Sequence, residues 1–214
     1  MKHVGRDLCL IGPTDSLSPM AAITAHHPRL MSVDEWRAVR LPEGWKAELI
    51  GGEIVVSPAP STGHAIISTR LADGLARGAM PAGFIALPST VEWEIPVGPL
   101  LLTGAPQPDV VVIEISDVTR LTAPPLLAAE VLSPTDRRLL DHSDLTRIEA
   151  KRLDYATGGL EDYIEVDRAA GPISVTRYEL HSGVLRVADV ATGDEPLVAE
   201  RPFSYALRPS DLLA

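Results

Sequence analysis

The chain has 214 residues and a mass of 22.9 kDa, which is enough for one well-buried domain or at most two small ones. Its 19 Lys and Arg residues against 29 Asp and Glu residues give a formal net charge of −10, which argues against a basic surface that binds nucleic acid or membranes non-specifically. The single cysteine, Cys9, excludes an intramolecular disulfide and a cysteine-rich zinc site.

The apolar segments argue against export and membrane insertion. The first short apolar run is broken by Gly12-Pro13, too early for the apolar region of a signal peptide. No window reaches the roughly 18 apolar residues that a spanning helix needs. We therefore expect a soluble, cytoplasmic protein without a membrane partner.

The first 30 residues show no sustained hydrophobic period and contain several X-Pro breaks. They predict a poorly ordered extension over 1–30, followed by a single domain over 31–214. Ser32 and Glu35 form a capping-box pattern that predicts a short helix closed by Pro42. The pair Gly51-Gly52 between two short apolar-alternating runs, 46–50 and 53–56, predicts a β-hairpin.

The middle of the chain alternates between helical and strand patterns. Apolar residues at helical spacing predict a helix over 63–79, and strands are expected over 84–87 and 90–95. The nearly continuous apolar runs 109–113 and 126–132 are typical of central strands that are covered on both faces.

The last third predicts one helix and several strands. A polar periodic stretch over 137–156 predicts a helix that Gly158-Gly159 ends, and strands are expected over 162–166, 173–180 and 184–188. The last two strands flank His181-Ser182-Gly183 and predict a second hairpin. The whole pattern indicates an α+β fold with a mixed sheet.

Charged residues embedded in these elements carry the first functional indication. Asp109 begins one apolar strand and Glu130 lies inside the next, where an ionised carboxylate is costly unless it is paired or binds a cation. If the strands are neighbours, the two carboxylates can share a hard divalent cation such as magnesium. Glu48 is a third candidate ligand. Lys151 would place a positive charge beside the metal-bound water or the phosphate.

Each of these residues also has an ordinary structural interpretation. An Asp after a proline is commonly a turn or cap residue, and a glutamate in a strand can point to solvent from a sheet edge. Lys151 on a polar helix can be a solvated surface residue, and His64 can be a surface histidine at a helix start. The conjunction of the carboxylates and the lysine, rather than any one residue, favours a metal–carboxylate site.

An ordered series of segments resembles a known family. The segments are GWKAELIGGEIVVSPAPSTGH, QPDVVVI, LLAAEVLSP, KRLDYATGG followed by DYIEVD, and the closing RPFSYALRPSDLL. Together they look like the Uma-type family of restriction endonucleases, a branch of the PD-(D/E)XK nuclease superfamily, from about Ser32 to the end of the chain. The resemblance implies a restriction-endonuclease-like core, with a mixed central β-sheet flanked by helices and additional β-hairpins.

The resemblance implies roles for individual residues. Asp109 matches the aspartate of the PD motif, and Glu130 matches the acidic residue of the (D/E)XK motif. Leu132 stands where that motif carries lysine, a departure that the family shares. In the family the lysine moves to the following helix, which points to Lys151 in the pattern Lys-x-x-x-Tyr-x-x-x-Gly.

Two further residues match the family's motifs and complete the site that the resemblance implies. Glu48 matches the acidic residue of the family's first motif, and His64 matches the histidine after the Ser-Pro-rich loop. The implied activity is metal-dependent hydrolysis of nucleic-acid phosphodiesters, DNA first among them, with Mg²⁺ or Mn²⁺ held by Asp109, Glu130 and Glu48. Many nucleases of the superfamily dimerise, so a homodimer is an open alternative, although no dimer face can be identified.

Two departures from the family pattern bear on this assignment. The stretch from Glu130 to Lys151 is longer than the family's by roughly two helical turns. Inside the helix, the extra residues would carry Lys151 about 10 Å along the axis, whereas in the loop after Ser133-Pro134 they would leave the lysine in the site. Ile164-Glu165 stands where the family usually has a Trp and an apolar residue. This departure concerns the packing of the core rather than the site.

Two other functions stay open on the sequence alone. The lengthened connection and the acid excess are compatible with a nuclease fold that has lost catalysis and acts as a binding or regulatory module. The lack of a basic face is also compatible with a hydrolase of small phosphorylated molecules. Metal binding and the choice between nucleotides and polynucleotides distinguish the three.

Overall fold

The computed structural model of the chain describes residues 31–88, 91–97, 102–115, 120–141, 143–169 and 171–213. The predicted extension over 1–30 lies outside the described residues. Within the described residues, no helix is long and apolar enough to cross a membrane.

The described chain begins with a short helix and a hairpin. Helix α1 (Val33–Arg37) starts at Ser32, whose side chain forms the predicted capping box with Glu35. Strands β1 (Trp45–Ile50) and β2 (Glu53–Pro58) pair antiparallel. Gly51 and Gly52 join them with φ angles of 57° and 81°, which is the left-handed conformation that the two-residue turn requires.

Helix α1 ends earlier than the predicted boundary at Pro42. Val33 and Trp36 occupy the one helical turn that faces the hairpin, where they pack with Leu49 and Ile54. After Arg37 the chain contributes Val39 and Leu41 to the same cluster without helical structure. One turn is therefore enough to bury the apolar side chains of this segment.

Two longer helices and ten further strands follow in the described residues. They are α2 (Thr62–Ala76), β3 (Phe84–Pro88), β4 (Ile95–Val97), β5 (Leu102–Gly104), β6 (Val110–Glu114), β7 (Leu127–Leu132), α3 (Arg147–Thr157), β8 (Asp162–Asp167), β9 (Ser174–His181), β10 (Val184–Thr192), β11 (Leu197–Ala199) and β12 (Tyr205–Leu207). Strands β4–β5 and β11–β12 form two small two-stranded sheets.

The central sheet has six strands in the order β10-β9-β8-β7-β6-β3. β7 and β8 run parallel and the other neighbouring pairs run antiparallel, so the predicted mixed sheet is confirmed. Because β7 and β8 are parallel, α3 forms the crossover between them and their carboxyl ends meet at one edge of the sheet.

Helices cover the two faces of this sheet, as predicted for its apolar strands. On one face Ile67 and Leu71 of α2 pack against Val110 and Val112 of β6. On the other face Tyr155 of α3 belongs to the core that contains alternate residues of the same strand. The fold is thus an α+β structure with β6 and β7 in its interior.

The predicted helix over 137–156 is wrong in its first half. Residues 134–137 form a single 3₁₀ turn, and α3 begins only at Arg147. Thr146 caps α3. Its side chain accepts a hydrogen bond from the Glu149 backbone N–H, and the Glu149 side chain accepts one from the Thr146 N–H. The residues before it run along the β1–β2 hairpin, where Leu140 packs with Ile50 and Val55. Tertiary packing on the hairpin therefore overrides the helical period of this segment.

The predicted strand over 90–95 is also wrong over most of its length. Trp93 makes an isolated parallel bridge to Leu121, and the strand itself begins at Ile95. The Trp93 ring stacks on Tyr155 with centroids 5.6 Å apart, and 1% of the residue is exposed. Trp93 is therefore a core residue that packs against α3.

Candidate active site

The structure brings the four sequence-predicted site residues to one cavity of about 420 Å³. Glu48 comes from β1, Asp109 immediately precedes β6, Glu130 lies in β7, and Lys151 lies one turn into α3. All four line the cavity, and all four are largely buried in the structure. Residues up to 103 positions apart in the sequence are thus gathered between the hairpin, the central sheet and α3.

Lys151 lies between two of the carboxylates. Its Nζ is 2.8 Å from Glu48 Oε1 and 2.9 Å from Glu130 Oε1, and 3% of its side chain is exposed. Burial lowers the pKa of Lys151, but the negative charges of Glu130 and Glu48 outweigh burial and hold that pKa well above its ordinary value. Lys151 is therefore a buried cation. Since α3 begins at Arg147, only one helical turn precedes Lys151, and the lysine lies in the cavity.

Glu48 is held by two lysines. Besides Lys151, Lys46 Nζ lies 3.4 Å from Glu48 Oε2, and the Gln107 backbone N–H donates to Glu48 Oε1 over 3.0 Å. Burial raises the pKa of Glu48, but the charges of Lys151 and Lys46 lower it to about 2. Glu48 is consequently ionised, and both of its oxygens already have partners, since Oε1 accepts from Gln107 and contacts Lys151 while Oε2 forms an ion pair with Lys46.

Asp109 is oriented by its own strand neighbour and by α2. The Val131 N–H donates to Asp109 Oδ2 over 2.9 Å, and His64 Nε2 lies 3.0 Å from the same oxygen. Burial raises the pKa of Asp109, while the hydrogen bond and charge of His64 reverse that effect and lower it. His64 faces Asp109 with 15% of its side chain exposed, so it is a neighbour of the carboxylates rather than a surface residue.

Glu130 accepts two hydrogen bonds on one oxygen. Lys151 Nζ donates to Oε1, and the Tyr155 hydroxyl donates to the same atom over 2.5 Å. Burial raises the pKa of Glu130 well above its ordinary value; Lys151 opposes this shift, and the charges of Asp109 and Glu48 add to it. A further positive charge in the cavity would therefore oppose this shift and favour the ionised form of Glu130.

The carboxylate oxygens of the cavity are compatible with a divalent cation bound by two carboxylates. Asp109 uses Oδ2 and Glu130 uses Oε1 for their hydrogen bonds, so Asp109 Oδ1 and Glu130 Oε2 have no such partner among the described residues. No three His, Cys, Asp or Glu side chains within those residues are arranged to hold a metal. Magnesium commonly takes one or two carboxylates and completes its shell with water, so two carboxylate oxygens fit this ion.

Sequence reasoning missed several residues of the cavity. Lys46, Ser133, Asp136, Arg147 and Arg168 line it as well. Lys46 could have been found, because residues two apart in a strand share a face and Glu48 was already a candidate. Arg168 follows β8, whose carboxyl end meets that of β7, but only the parallel pairing of these strands reveals this neighbourhood.

Ile164 and Glu165, adjacent residues of β8, are both buried, and Glu165 makes a buried polar contact. Ile164 is fully buried, and Glu165 accepts from Arg152 Nε and Nη2 over 2.6 Å each. The Tyr178 hydroxyl donates to Glu165 over 2.9 Å, and the Arg152 guanidinium lies 5.0 Å from the centre of the Tyr178 ring. Arg152 and Tyr178 therefore satisfy the buried carboxylate of Glu165.

Behind Lys151, Asp154 ties α3 to the hairpin that carries Glu48. Its Oδ2 accepts from the Gly51 N–H over 2.9 Å, and burial raises its pKa to about 6 despite that hydrogen bond and the Lys151 charge. A carboxyl whose folded-state pKa lies above its unfolded value stabilises the fold while it is protonated. That stabilisation is lost as the pH rises from about 4 to about 6.

Asp154→Asn is therefore expected to stabilise the protein above pH 7 by on the order of 2 kcal/mol, because the neutral amide keeps an acceptor for Gly51 without the buried charge. The gain should shrink toward zero as the pH falls from 6 to 4. Urea unfolding at pH 8, 6 and 4 measures it. An equal gain at all three pH values, or a loss at pH 8, would contradict the buried-carboxylate account.

The fold and the acidic and basic residues of the cavity together define a class of protein. A mixed central sheet with helices on both faces, and with carboxylates and a lysine meeting at one cavity, is a restriction-endonuclease-like architecture. A crystal structure titled as a putative nuclease belonging to DUF820, from Anabaena variabilis, has this fold with a TM-score of 0.58. It is 19% identical, and the match covers 86% of this chain and 97% of that one.

The sequence comparison then identifies the family. Residues 33–210 match the Uma2 family, whose description is "Putative restriction endonuclease". The match spans most of the chain, so the chain belongs to the Uma2 family. No protein of curated function matches the sequence.

Proposed function

We propose that this protein is a divalent-metal-dependent endonuclease that hydrolyses phosphodiester bonds of nucleic acid, with DNA as its substrate. The observation that carries the proposal is the convergence of Asp109, Glu130 and Lys151 on one cavity from three separate elements. Buried carboxylates that retain unbonded oxygens, beside a buried cation, are costly for stability and suited to binding a metal and a phosphate. Membership of the Uma2 family supports the same reaction class.

In this proposal Asp109 and Glu130 would hold the metal, Mg²⁺ or Mn²⁺, with the carboxylate oxygens that accept no hydrogen bond among the described residues, Asp109 Oδ1 and Glu130 Oε2. When bound, the metal activates water as the nucleophile and offsets negative charge on the phosphate. The Val131 N–H and His64 keep Asp109 in place, since both bond the oxygen that the metal does not use. The Tyr155 hydroxyl does the same for Glu130.

Lys151 supplies the fixed positive charge of the site. In its present position it neutralises part of the charge on Glu48 and Glu130. Charge that develops on the phosphate during in-line attack is stabilised by a nearby ammonium that is already oriented and dehydrated. Glu48 acts as a positioning residue here, because it bonds Lys151 from the hairpin side and remains ionised. The proposal thus moves Glu48 from metal ligand to partner of the lysine.

The test of this function is cleavage of a covalently closed plasmid. A circular substrate has no ends, so its conversion to nicked or linear DNA requires an endonuclease. Cleavage is expected with Mg²⁺ or Mn²⁺ and none with EDTA. Parallel reactions with single-stranded DNA, RNA and mononucleotides separate a nuclease from a hydrolase of small phosphorylated molecules. Hydrolysis of mononucleotides alone would overturn the proposal.

One observation favours a second candidate, a binding or regulatory module without catalysis. Lys151 already bridges Glu48 and Glu130, so much of the carboxylate charge is balanced by the protein itself. If this balance excludes the metal, calorimetric titration with Mn²⁺ will give no binding at millimolar concentration. Binding that disappears in Asp109→Asn favours the enzyme instead.

A further inference from the structure

Arg168 is a cation of the cavity to which the proposed chemistry gives no role. It follows β8 directly, is half-buried and lines the same cavity as Asp109 and Glu130. Its guanidinium makes no hydrogen bond or ion pair with any of the described residues. The adjacent carboxylate does not neutralise it, since Asp167 accepts from Arg137 and from the Ala169 N–H.

The other cations of the cavity are engaged. Lys46 pairs with Glu48, and Lys151 pairs with Glu48 and Glu130. Arg147 is buried and has a partner as well. In a chain with 29 acidic and 19 basic side chains, an arginine left without an acidic partner in a cavity lined by four carboxylates, those of Glu48, Asp109, Glu130 and Asp136, is unexpected on charge balance alone. Its planar fork of N–H donors matches the oxygens of a phosphate.

The position of Arg168 relative to Glu130 follows from strand register. β7 and β8 are parallel, with Glu130 opposite Glu165 and Leu132 opposite Asp167. The Cα of Arg168 therefore lies about three residues beyond that of Glu130, which is about 10 Å along the sheet at a rise of about 3.3 Å per residue. Its Nη1 lies 3.0 Å from where a Cβ on Gly63 would be, so the guanidinium rests against the first turn of α2.

We infer that Arg168 binds a phosphate of the substrate strand other than the one being cleaved. Arg168 lines the cavity beside the end of β8, whereas Asp109 and Glu130 lie further along the sheet, so one strand in the cavity would present different phosphates to the two places. The inference rests on the proposed nuclease function and sharpens it. The cavity would take a polynucleotide, because a mononucleotide cannot occupy both positions at once.

The test compares Arg168→Ala with a matched control, Arg186→Ala, which removes the same charge from an exposed position on β10. Binding of a fluorescein-labelled single-stranded DNA 12-mer is measured by anisotropy in EDTA over a salt series. Arg168→Ala is expected to weaken binding about 10-fold or more, and to reduce the slope of log K against log salt by about 0.7. Arg168→Lys should restore the slope but only part of the affinity, since the ammonium lacks the planar fork.

Steady-state cleavage of the same 12-mer with Mn²⁺ supplies the second measurement. Arg168→Ala should raise KM about 10-fold and change kcat by less than about threefold, because the lost contact is to a non-reacting phosphate. The Arg168 guanidinium makes no hydrogen bond or ion pair within the described part of the chain, so the variant should unfold at the wild-type temperature. An affinity, slope and KM equal to those of Arg186→Ala would overturn the inference, as would failure of the wild type to bind the 12-mer.

The two proposals fail in different ways. Arg168-dependent binding without metal-dependent cleavage supports the phosphate site and overturns the nuclease. Metal-dependent cleavage that is indifferent to Arg168 supports the nuclease and overturns the phosphate site.

Discussion

Asp109→Asn and Glu130→Gln are each expected to lower metal-dependent DNA cleavage by about 1000-fold or more. Each change keeps the size of the side chain and removes the negative charge that the metal requires. A loss of about 4 kcal/mol of transition-state stabilisation, a typical contribution of a catalytic metal, corresponds to a factor of about 1000. Initial rates of plasmid nicking at saturating Mg²⁺ measure this loss.

The matched controls are Asp144→Asn and Glu43→Gln, two exposed acids outside the cavity. Asp144 is an informative control, because the helical period of the sequence places it on the face of Lys151 whereas the structure places it before α3. Both controls should cleave at the wild-type rate, and circular dichroism should show that all four variants are folded. Cleavage by both site variants within threefold of the wild type would contradict the assignment.

Lys151→Met is expected to destabilise the fold by about 3–5 kcal/mol at pH 8, because the change leaves Glu48 and Glu130 buried without their shared cation. Methionine has a similar length and no charge, so the loss reports the charge rather than a cavity. The destabilisation should decrease when Glu48→Gln is added, because the second change removes one of the two stranded charges. Urea unfolding of the single and double variants measures both effects.

Lys46→Met provides the contrast for this prediction. Lys46 also pairs with Glu48, but 28% of its side chain is exposed against 3% for Lys151. Solvent-screened pairs contribute little, so this variant should lose less than about 1 kcal/mol. If Lys151→Met is no more destabilising than Lys46→Met, the buried ion pairs do not have the role proposed for them.

Local sequence patterns were sufficient for the parts of the fold that depend on neighbouring residues. The Ser32–Glu35 capping box and the Gly51-Gly52 turn act over a few residues, and both occur as predicted. The apolar runs around Asp109 and Glu130 likewise identified central strands, since only strands buried on both faces remain apolar throughout.

The remainder depended on contacts between distant parts of the chain. The start of α3 was misplaced because Leu140 packs on the hairpin instead of continuing a helix, although Thr146-x-x-Glu149 was a local indication of the true start. The start of α3 also determines whether Lys151 reaches the cavity, so its position could not be predicted either. A period of 3.6 residues cannot distinguish a helix from an irregular segment that packs elsewhere.

The candidate site itself was only partly predictable. Glu48, Asp109, Glu130 and Lys151 were chosen from charges in apolar surroundings and from family resemblance, and they lie together in the structure. The sequence could not predict which carboxylate oxygens form hydrogen bonds or ion pairs within the protein. Those partners include Lys46, His64 and the Gln107 and Val131 amides. These contacts make Glu48 a partner of Lys151. They leave one oxygen of Asp109 and one of Glu130 without a hydrogen-bond partner among the described residues.

The central claim, that Asp109 and Glu130 together bind the catalytic metal, is tested most directly by crystals grown with Mn²⁺ and measured near the manganese absorption edge. The account predicts an anomalous difference peak coordinated by Asp109 Oδ1 and Glu130 Oε2, with water in the other positions, and no such peak in Asp109→Asn crystals. A peak on other residues, or none at Mn²⁺ concentrations that support cleavage, would contradict it.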